Sequence, residues 1–377
     1  MNLDGSEFTI GMEEEYLLVD PETRDLMIEP PPAFLKACED ELGGRVSPEF
    51  MQCQIEVGTP VCRSIAELRR EIVALRDTVC SVSQAHGLAV IAASTHPFAC
   101  WRPQRPTVNP RYDKLAAEMG TPVRRLLISA MHMHVGIEDP NLRIDLMNQV
   151  RYFLPHLLSL TTSSPFWRGQ DTGLKSYRLA VFNEMPRNGT PEQFVSYGEY
   201  EQHLQALIDV GAIEDGTKLW WDIRPSARFP TLEMRICDIC TSVEDGITVA
   251  ALYACILRML WRLKRDNVQW RRYKTMLLNE NRWRAMRYGI DGRLIDFGRR
   301  QSIAFPELME EILDLTEKDA EALDCVAEVR RAREILSRGT SAHQQVATYE
   351  RALADGATES EAQQAVVDWL IRASRPE

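Results

Sequence analysis

The sequence lacks the features that mark several large classes of protein. Its 377 residues carry a formal net charge of −11, so there is no basic excess to bind nucleic acid or an anionic membrane. The first ten residues, MNLDGSEFTI, show neither the basic start nor the apolar stretch of an export signal. The longest apolar run, Ile247 to Leu257, is too short to span a bilayer and predicts a buried helix. Neither a GxxxxGK[ST] loop nor a GxGxxG turn occurs, so any phosphate group must be bound by other means.

A disulfide framework is also missing. The nine cysteines are odd in number and irregularly spaced. Reduced thiols are typical of the cytoplasm, so we expect the protein to act there. Cys237 and Cys240 have CxxC spacing, but one pair without a second is a weak zinc signal, and we interpret both as structural thiols.

Helix and strand patterns alternate along the first part of the chain. Apolar residues three and four apart from Ile65 to Val82 predict a helix, with Ser64 and Glu67 as a capping box. A strand is predicted over residues 88–95, and a second long helix from about 241 to 264. Strand patterns vanish from about residue 268. We therefore predict a single catalytic domain over residues 1–377, with a sheet-and-helix core in 1–267 and a helical elaboration in 268–377.

Four short segments place apolar side chains on one strand face and ligand-type side chains on the other. The ligand-type faces are Glu13 and Glu15 in GMEEEYLLVD, Gln52, Gln54 and Glu56 in EFMQCQIEVGTP, His132 and His134 in SAMHMHVGIED, and Glu233 and Arg235 in PTLEMRICD. Glu14 points to the opposite face from Glu13 and Glu15. Solvent faces of strands are usually rich in Thr, Lys and Ser, which are scarce here. The pattern predicts an antiparallel sheet with one packed face and one functional face.

The chemistry of the functional face indicates a divalent cation and phosphate groups. Crowded carboxylates repel one another unless a cation neutralises them, and glutamate oxygens with an occasional imidazole suit Mg²⁺ or Mn²⁺. Basic partners for phosphate are available in Arg235, Arg178, Lys175 and Arg224. A metal-dependent hydrolase that uses His132 and His134 as a zinc pair is the alternative. That class usually carries such a pair early in an alternating βα barrel, whereas this pair lies mid-chain on an amphipathic strand.

Six motifs together resemble those of a known family, the carboxylate–amine ligases of the glutamate–cysteine ligase type 2 group. The motifs run in order from residue 11 to about 292: GMEEEYLLVD, QIEVGTPVCRSIAEL, STHPFA, MHMHVGIED, WDIRPSARFPTLEMRICD and ENRWRAMRYGIDG. The resemblance implies an α+β fold in which a curved antiparallel sheet forms a funnel with helices on its outer face, as in glutamine synthetase and guanido kinases. It also implies ATP, a metal cofactor (Mg²⁺ or Mn²⁺) and amide formation through an acyl phosphate.

The resemblance also implies roles for individual residues. Its metal ligands are Glu13, Glu15, Glu49, Glu56, His132 and Glu233, with His134 facing the site beside them. Arg235 would reach the phosphates, and Glu56 and Arg235 are the predicted catalytic residues. Arg178, Lys175 and Arg224 would bind phosphate or substrate carboxylate, without a choice between the two.

Glu49 raises a difficulty, because seven residues separate it from Glu56. That odd spacing puts the two on opposite faces of a regular strand, so either a bulge intervenes or Glu49 precedes the strand. The implied substrates are a small carboxylic acid, with glutamate favoured, and an amine such as cysteine, joined with weak activity. The resemblance also implies a homodimer.

Overall fold

Short strands, most of them before residue 240, alternate with helices that continue to the end of the chain. The computed structural model describes residues 9–376. The strands are β1 (Ile10–Val19), β2 (Val46–Pro48), β3 (Gln54–Gly58), β4 (Ala89–Ile91), β5 (Met131–Gly136), β6 (Phe166–Trp167), β7 (Gln170–Asp171), β8 (Asn188–Gly189), β9 (Trp220–Trp221), β10 (Ile223–Pro225), β11 (Thr231–Met234), β12 (Arg293–Asp296) and β13 (Gln301–Ala304). The helices are α1 (Pro32–Leu42), α2 (Ile65–Ala85), α3 (Pro110–Met119), α4 (Thr121–Arg124), α5 (Pro140–Val150), α6 (Leu154–Thr161), α7 (Arg178–Phe182), α8 (Tyr197–Asp209), α9 (Val243–Arg265), α10 (Thr275–Tyr288), α11 (Phe305–Ala322), α12 (Val326–Arg330), α13 (Ala332–Arg338), α14 (Ser341–Ala354) and α15 (Glu359–Ala373). The fold is α+β, as predicted.

Seven strands form one antiparallel sheet in which β1 is the central strand. The strand order is β10-β11-β5-β1-β3-β2. On one side β1 pairs with β3, and on the other it pairs first with β5 and then, at its far end, with β4. Because β1 contacts three strands, its register decides which side chains of the sheet meet.

The face of the sheet opposite the predicted site is apolar and is covered by helices. Met12 of β1, Met133 of β5 and Met234 of β11 are buried there. Helix α2 lies over β1 and β3, and α9 lies over β5 and against α2. Ser64 Oγ caps α2 by accepting from the N–H of Glu67, as predicted, although the Glu67 carboxylate accepts from Arg63 rather than from Ser64.

Helix α9 is the central helix of the protein. It is long and apolar enough to cross a membrane, but 78% of its most apolar window is buried inside the protein. It packs against α2, α5, α6, α11 and α12 as well as the sheet. Its apolar composition therefore reflects burial on all sides, as the run Ile247 to Leu257 predicted.

Three sequence predictions about strands were wrong. The strand expected over residues 88–95 is confined to Ala89–Ile91, and β3 begins only at Gln54, after a turn at Gln52 and Cys53. The region after residue 268 also contains strands, since β12 and β13 form a hairpin. Asp296 Oδ1 accepts from the N–H groups of Gly298 and Arg299 in the hairpin turn. These strands are too short to show a periodic pattern.

The last helices of the chain pack back onto its first strands. Leu370 of α15 is buried in the same apolar cluster as Leu17 of β1 and Ile91 of β4. The N–H of Ala92 donates to Ser374 Oγ at 2.8 Å. The division of residues 1–377 into a core and a helical elaboration of one catalytic domain stays a prediction.

Glu14, the middle one of three successive glutamates, forms a buried ion pair. It lies on the helix-covered face, fully buried, where its carboxylate accepts from Arg76 Nε at 3.0 Å, Arg76 Nη2 at 2.5 Å and the Tyr16 hydroxyl at 2.5 Å. Arg76 also donates to the carbonyls of Cys240 and Thr241. The pair therefore fastens β1 to α2 and to the segment before α9.

We expect Arg76→Met to destabilise the protein by about 3–5 kcal/mol, because it leaves the Glu14 carboxylate buried without its cation. The double variant Glu14→Gln with Arg76→Met should recover much of that loss, since no charge then remains buried. Asp40→Asn, which breaks the exposed Lys36–Asp40 pair, is the control and should change stability by about 1 kcal/mol or less. Urea unfolding of the four proteins measures these differences. A single-variant loss no larger than the control would contradict the role given to the pair.

Candidate active site

The pairing register gathers the predicted site residues on the open face of the sheet. Three cross-strand pairs form the arrangement: Glu13 with His132, Glu15 with Glu56, and Glu233 with His134. Alternation along each strand points these side chains away from α2 and α9. We call these six residues together with Glu49 the carboxylate–imidazole cluster.

Glu49 joins the cluster from a neighbouring strand. It directly follows β2, which pairs with β3 as a hairpin, and its N–H lies 3.5 Å from the carbonyl oxygen of Gln54. Glu49 thus precedes the strand of Glu56, which is the second of the two alternatives left open by the sequence. A carboxylate oxygen of Glu49 comes within 4.8 Å of ligand atoms of both Glu15 and Glu56.

The cluster has the ligand atoms that a divalent cation requires. Three overlapping groups each bring their ligand atoms within 4.8 Å of one another: Glu13, His134 and Glu233; Glu13, Glu56 and His132; Glu15, Glu49 and Glu56. His132 Nε2 and His134 Nε2 are buried and have no hydrogen-bond partner among residues 9–376. A buried ring nitrogen without a partner costs free energy that a ligand would recover. Residues and geometry therefore fit a Mg²⁺ or Mn²⁺ site.

Electrostatic repulsion within the cluster alters its protonation. Burial, reinforced by the Glu49 carboxylate, raises the pKa of Glu15 to about 8. Burial and the charges of Glu49, Glu13 and Glu15 also raise the pKa of Glu56 well above its ordinary value. Burial also tends to raise the pKa of Glu13, but its hydrogen bonds with His132 and His134 outweigh this effect, and the pKa of Glu13 is lowered. Burial, with the charge of Arg235 in second place, lowers the pKa of His132 to about 4, so its ring is a neutral ligand.

Two arginines hold Glu233 in place. Arg224 Nε donates to Glu233 Oε2 at 2.8 Å and Arg224 Nη2 to Glu233 Oε1 at 3.1 Å, while Arg224 Nη1 donates to the carbonyls of Thr217 and Leu219. Arg235 Nη1 also donates to Glu233. Arg224 therefore positions Glu233. It also lines the first cavity beside the cluster, so its contact with phosphate or substrate carboxylate stays a prediction.

Arg178 is a buried cation that faces the cluster. Its terminal nitrogens donate to the carbonyls of Arg235 and Ile236 at 3.1 Å. Arg178 Nε and Arg235 Nε are both buried and have no hydrogen-bond partner among the described residues. These two nitrogens are well suited to an anionic substrate group, and the binding of phosphate or substrate by both residues stays a prediction.

Lys175 lies outside the site, contrary to the sequence prediction. Its Nζ is 3.7 Å from Asp291 Oδ2, and its backbone N–H donates to the carbonyl of Met286 near the end of α10. It lines neither of the two cavities that border the cluster. Lys175 lies in the connection between β7 and α7, whereas Arg178, three positions later, is the first residue of α7, and the two side chains point to different places.

The first cavity has a volume of about 500 Å³ and contains residues that the sequence did not identify. Arg178, Arg235 and Gln54 line it beside the cluster. Apolar side chains, here called the apolar wall, also line it: Leu115, Leu126, Ile128, Phe182, Met185 and Trp220. These residues come from four separate segments, so no local sequence pattern could have revealed them.

A second cavity of about 600 Å³ borders the same cluster and is floored by glycine. Gly11 lies two residues before Glu13, Gly58 two after Glu56 and Gly136 two after His134, so all three glycines share the open face of the sheet. None of the three has a positive φ, so backbone conformation does not require them. Thr9 fills the space at Gly136, but a Cβ at Gly11 or Gly58 would meet protein atoms only at 3.7 Å or more. Glycine at these two positions leaves room for a ligand against the backbone.

The β10–β11 loop separates the mouths of the two cavities. Arg228 and Phe229 line both, and Phe229 is 56% exposed. The exposed guanidinium of Arg228 has no ion pair or hydrogen bond among residues 9–376. Arg228 was not among the residues predicted from the sequence, although the two arginines four residues apart in RPSARFP are a signal that could have identified this loop.

The sequence matches the model of one protein family and is similar to several known proteins. The sequence model of the family described as Glutamate-cysteine ligase family 2 (GCS2) matches residues 9–367. A protein of Rhodospirillum rubrum named "Putative glutamate--cysteine ligase 2" is 56% identical over 97% of this chain and 95% of its own length. A protein of Jannaschia sp. with the same name is 52% identical over 97% of this chain and 96% of its own.

Two solved structures share the fold at low sequence identity. A glutamate–cysteine ligase of Francisella tularensis, solved in complex with AMP, aligns with a TM-score of 0.68 at 14% identity over 98% of this chain and 89% of its own. A bifunctional glutathione synthetase of Pasteurella multocida aligns with a TM-score of 0.69 at 13% identity. This chain spans 53% of the length of that synthetase.

We predict that metal binding releases protons, because a carboxylate must be ionised to bind a cation. At pH 6.5 Glu15, with a pKa of about 8, is protonated in the metal-free protein, whereas at pH 9 it is ionised. Titration with MgCl₂ in buffers of different ionisation enthalpy should therefore show more protons released at pH 6.5 than at pH 9. Glu15→Gln should reduce that difference, because it removes one of the carboxyl groups that must lose a proton. Equal release at both pH values in the unmodified protein would contradict the electrostatic description of the cluster.

Proposed function

The chain belongs to glutamate–cysteine ligase family 2, and on that premise we propose that it is an ATP-dependent ligase that joins a carboxylate to an amine. The observation that carries the proposal is the position of the carboxylate–imidazole cluster at the shared boundary of two cavities. A nucleotide in one cavity and organic substrates in the other would meet at this boundary. Such an arrangement suits a reaction that transfers a phosphoryl group between them.

We assign ATP to the glycine-floored cavity. A planar base can lie directly on strand backbone where Gly11 and Gly58 carry no side chain. Apolar groups that a base could cover, including Val61 and Phe229, lie at the rim of this cavity. The unpaired guanidinium of Arg228, at the boundary of both cavities, would reach the phosphates.

Six residues of the cluster would hold the cation, Mg²⁺ or Mn²⁺: Glu13, Glu15, Glu49, Glu56, His132 and Glu233. A divalent cation bound there neutralises phosphate oxygens and the crowded carboxylates together. Arg224 keeps Glu233 in the required place, and His134, whose Nδ1 lies 2.9 Å from Thr231 Oγ1, directs its Nε2 toward Glu13. These contacts order the ligands before the substrates bind.

The proposed reaction has two steps. A carboxylate oxygen of the acid attacks the terminal phosphorus of ATP, ADP leaves, and an acyl phosphate forms. The amine then attacks the acyl carbon, the bond to phosphate breaks, and an amide and inorganic phosphate result. Arg235 and Arg178 would bind the oxygens of the transferred group through their buried, unpartnered Nε atoms. Their fixed positions support stabilisation of charge in the transition state.

The finer features of the ligase are proposals as well. We propose that the acid is glutamate, so that the product is a γ-glutamyl-type amide. We also propose that the sheet forms the wall of a funnel that contains both cavities. Cysteine as the amine, weak activity, a homodimeric state and a cytoplasmic location remain predictions from the resemblance.

The hydrolase alternative loses its support. It requires a parallel βα barrel with His132 and His134 as a zinc pair, but both histidines lie on a central strand of an antiparallel sheet. They are also surrounded by carboxylates, which favour harder cations than zinc. The family membership points in the same direction.

Hydroxylamine should trap the acyl phosphate. With ATP, Mg²⁺, glutamate and protein, we expect a hydroxamate together with ADP in equal amounts, and no product after EDTA is added. Glu56→Gln should impair the reaction and be partly rescued by excess Mg²⁺, because it removes a cation ligand and keeps the shape. Release of AMP and pyrophosphate would instead indicate an acyl adenylate and would contradict the proposed mechanism.

The assignment of ATP to the glycine-floored cavity predicts the effect of one added methyl group. Gly11→Ala should raise the KM for ATP by about tenfold, since the methyl group occupies space meant for the nucleotide. The melting temperature should hardly change, because the new Cβ meets only Thr59 Oγ1 at 3.7 Å. Gly198→Ala in α8, with a comparable contact at 3.8 Å and outside both cavities, is the matched control. An unchanged KM for ATP in Gly11→Ala would refute the assignment.

A further inference from the structure

We infer that Arg282 of α10 is a positioning residue for the reaction, because it ties together the two backbone segments that carry Arg178 and Arg235. The inference rests on the ligase function proposed above and adds a residue from the helical part of the chain after residue 268. Arg282 belongs to the motif ENRWRAMRYGIDG and is not among the described residues that line the two cavities. It therefore acts through its neighbours and not by contact with a substrate.

Arg282 forms a buried ion pair with Asp222, which lies between β9 and β10. Its Nε donates to Asp222 Oδ2 at 2.8 Å, and its Nη2 donates to Asp222 Oδ1 at 3.1 Å. Both residues are buried. Two parallel hydrogen bonds between a guanidinium and a carboxylate fix the orientation of the two groups as well as their distance. The ion pair therefore holds Asp222 in one position.

The backbone of Asp222 in turn holds Arg235. The N–H groups of Arg235 and Ile236, which follow the last residue of β11, donate to the carbonyl oxygen of Asp222 at 2.8 Å and 3.1 Å. The carbonyl oxygens of the same two residues accept from the terminal nitrogens of Arg178 at 3.1 Å. Each backbone polar group of Arg235 and Ile236 is thus bonded to Asp222 or to Arg178.

Arg282 also reaches the helix that carries Arg178. Its Nη1 donates at 3.3 Å to Oδ1 of Asn183, the residue that caps the end of α7. The beginning of α7 is fixed separately, since the N–H of Arg178 donates to Ser164 Oγ at 3.1 Å. The contacts therefore form a closed path, here called the arginine ring, through Arg282, Asp222, Arg235, Ile236, Arg178 and Asn183.

The arginine ring keeps two cations side by side before an anion binds. The guanidinium groups of Arg178 and Arg235 carry like charges and repel each other. If their backbone segments could move apart, the two buried, unpartnered Nε atoms would no longer be aimed at one ligand. Charged groups that are already in position stabilise a transition state more than groups that must first be brought together. The ring supplies that order from outside the site.

Arg282→Lys tests the inference, because lysine keeps a positive charge next to Asp222 but cannot form two parallel hydrogen bonds. In the hydroxylamine assay with ATP, Mg²⁺ and glutamate, we expect kcat to fall by about tenfold or more. The KM for ATP should change little, since the two arginines act mainly in the transition state.

Arg258→Lys is the matched control. Arg258 of α9 donates to the buried carboxylate of Asp319 at 2.7 Å and is not among the residues that line the cavities. This substitution should lower the melting temperature about as much as Arg282→Lys and leave kcat unchanged. Equal kcat values for the two variants would overturn the inference, because Arg282 would then contribute to stability alone.

Asn183→Ala opens the arginine ring at an exposed position, so the melting temperature should hardly change. We expect kcat to fall by about threefold, the usual effect of one lost hydrogen bond. In the double variant with Arg282→Lys, the combined loss should be smaller than the product of the two single losses, since both substitutions break the same ring. An unchanged kcat in Asn183→Ala, or losses that simply multiply, would contradict the ring.

Failure of this inference can be distinguished from failure of the proposed function. Hydroxamate formation by all variants at the unmodified rate would reject the ring and leave the ligase intact. Absence of hydroxamate with the unmodified protein would reject the proposed reaction, and calorimetric titration with inorganic phosphate would then decide on the ring. Weaker phosphate binding in Arg282→Lys and Asn183→Ala but not in Arg258→Lys would still support it, whereas equal binding or no binding in all four proteins would reject it.

Discussion

The structure depends above all on the register of β1. Because successive strand residues point to opposite faces, a slip of one residue would exchange the environments of Glu13, Glu14 and Glu15. Glu13 and Glu15 would then enter an apolar layer without a cation, and Glu14 would leave Arg76 buried alone. The ion pair of Glu14 with Arg76 on the helix-covered face specifies one register of β1. The backbone pairing of β1 with β3 and β5 specifies the same register.

The open face resolves a conflict between two electrostatic requirements. A cation site must concentrate carboxylates, yet each added carboxylate raises the cost of ionising the next. At one end of the face, Arg224 and Arg235 pair directly with Glu233 and keep it charged. At the other end, Glu15 and Glu56 have no arginine within salt-bridge distance in the part of the chain that the structure describes. The open face therefore has the protein's own cations, Arg224 and Arg235, at the Glu233 end and room for a metal ion at the end with Glu15 and Glu56.

Sequence patterns predicted the fold class and most of the carboxylate–imidazole cluster, because both follow from the two-residue period of strands. Glu49 needed the structure, since only the β2–β3 hairpin shows which strand carries it. Lys175 was wrongly assigned, because the side chain of a basic residue is long and its partner here, Asp291, is distant in sequence. The apolar wall could not be predicted either, because its residues come from segments distant in sequence. The β12–β13 hairpin escaped prediction for another reason, since its four-residue strands are too short to show a periodic pattern.

The packing of α15 against β1 and β4 has a consequence for biosynthesis. The bond from Ala92 to Ser374 joins residues 282 positions apart, and the ion pair from Arg24 to Asp368 joins residues 344 apart. A chain that emerges from the ribosome in order presents its central strand long before the helix that covers the end of that strand exists. Contacts of such sequence separation slow folding and leave intermediates with exposed apolar surface. The strand that carries Glu13 and Glu15 must therefore wait for nearly the whole chain to be synthesised before its surroundings are complete.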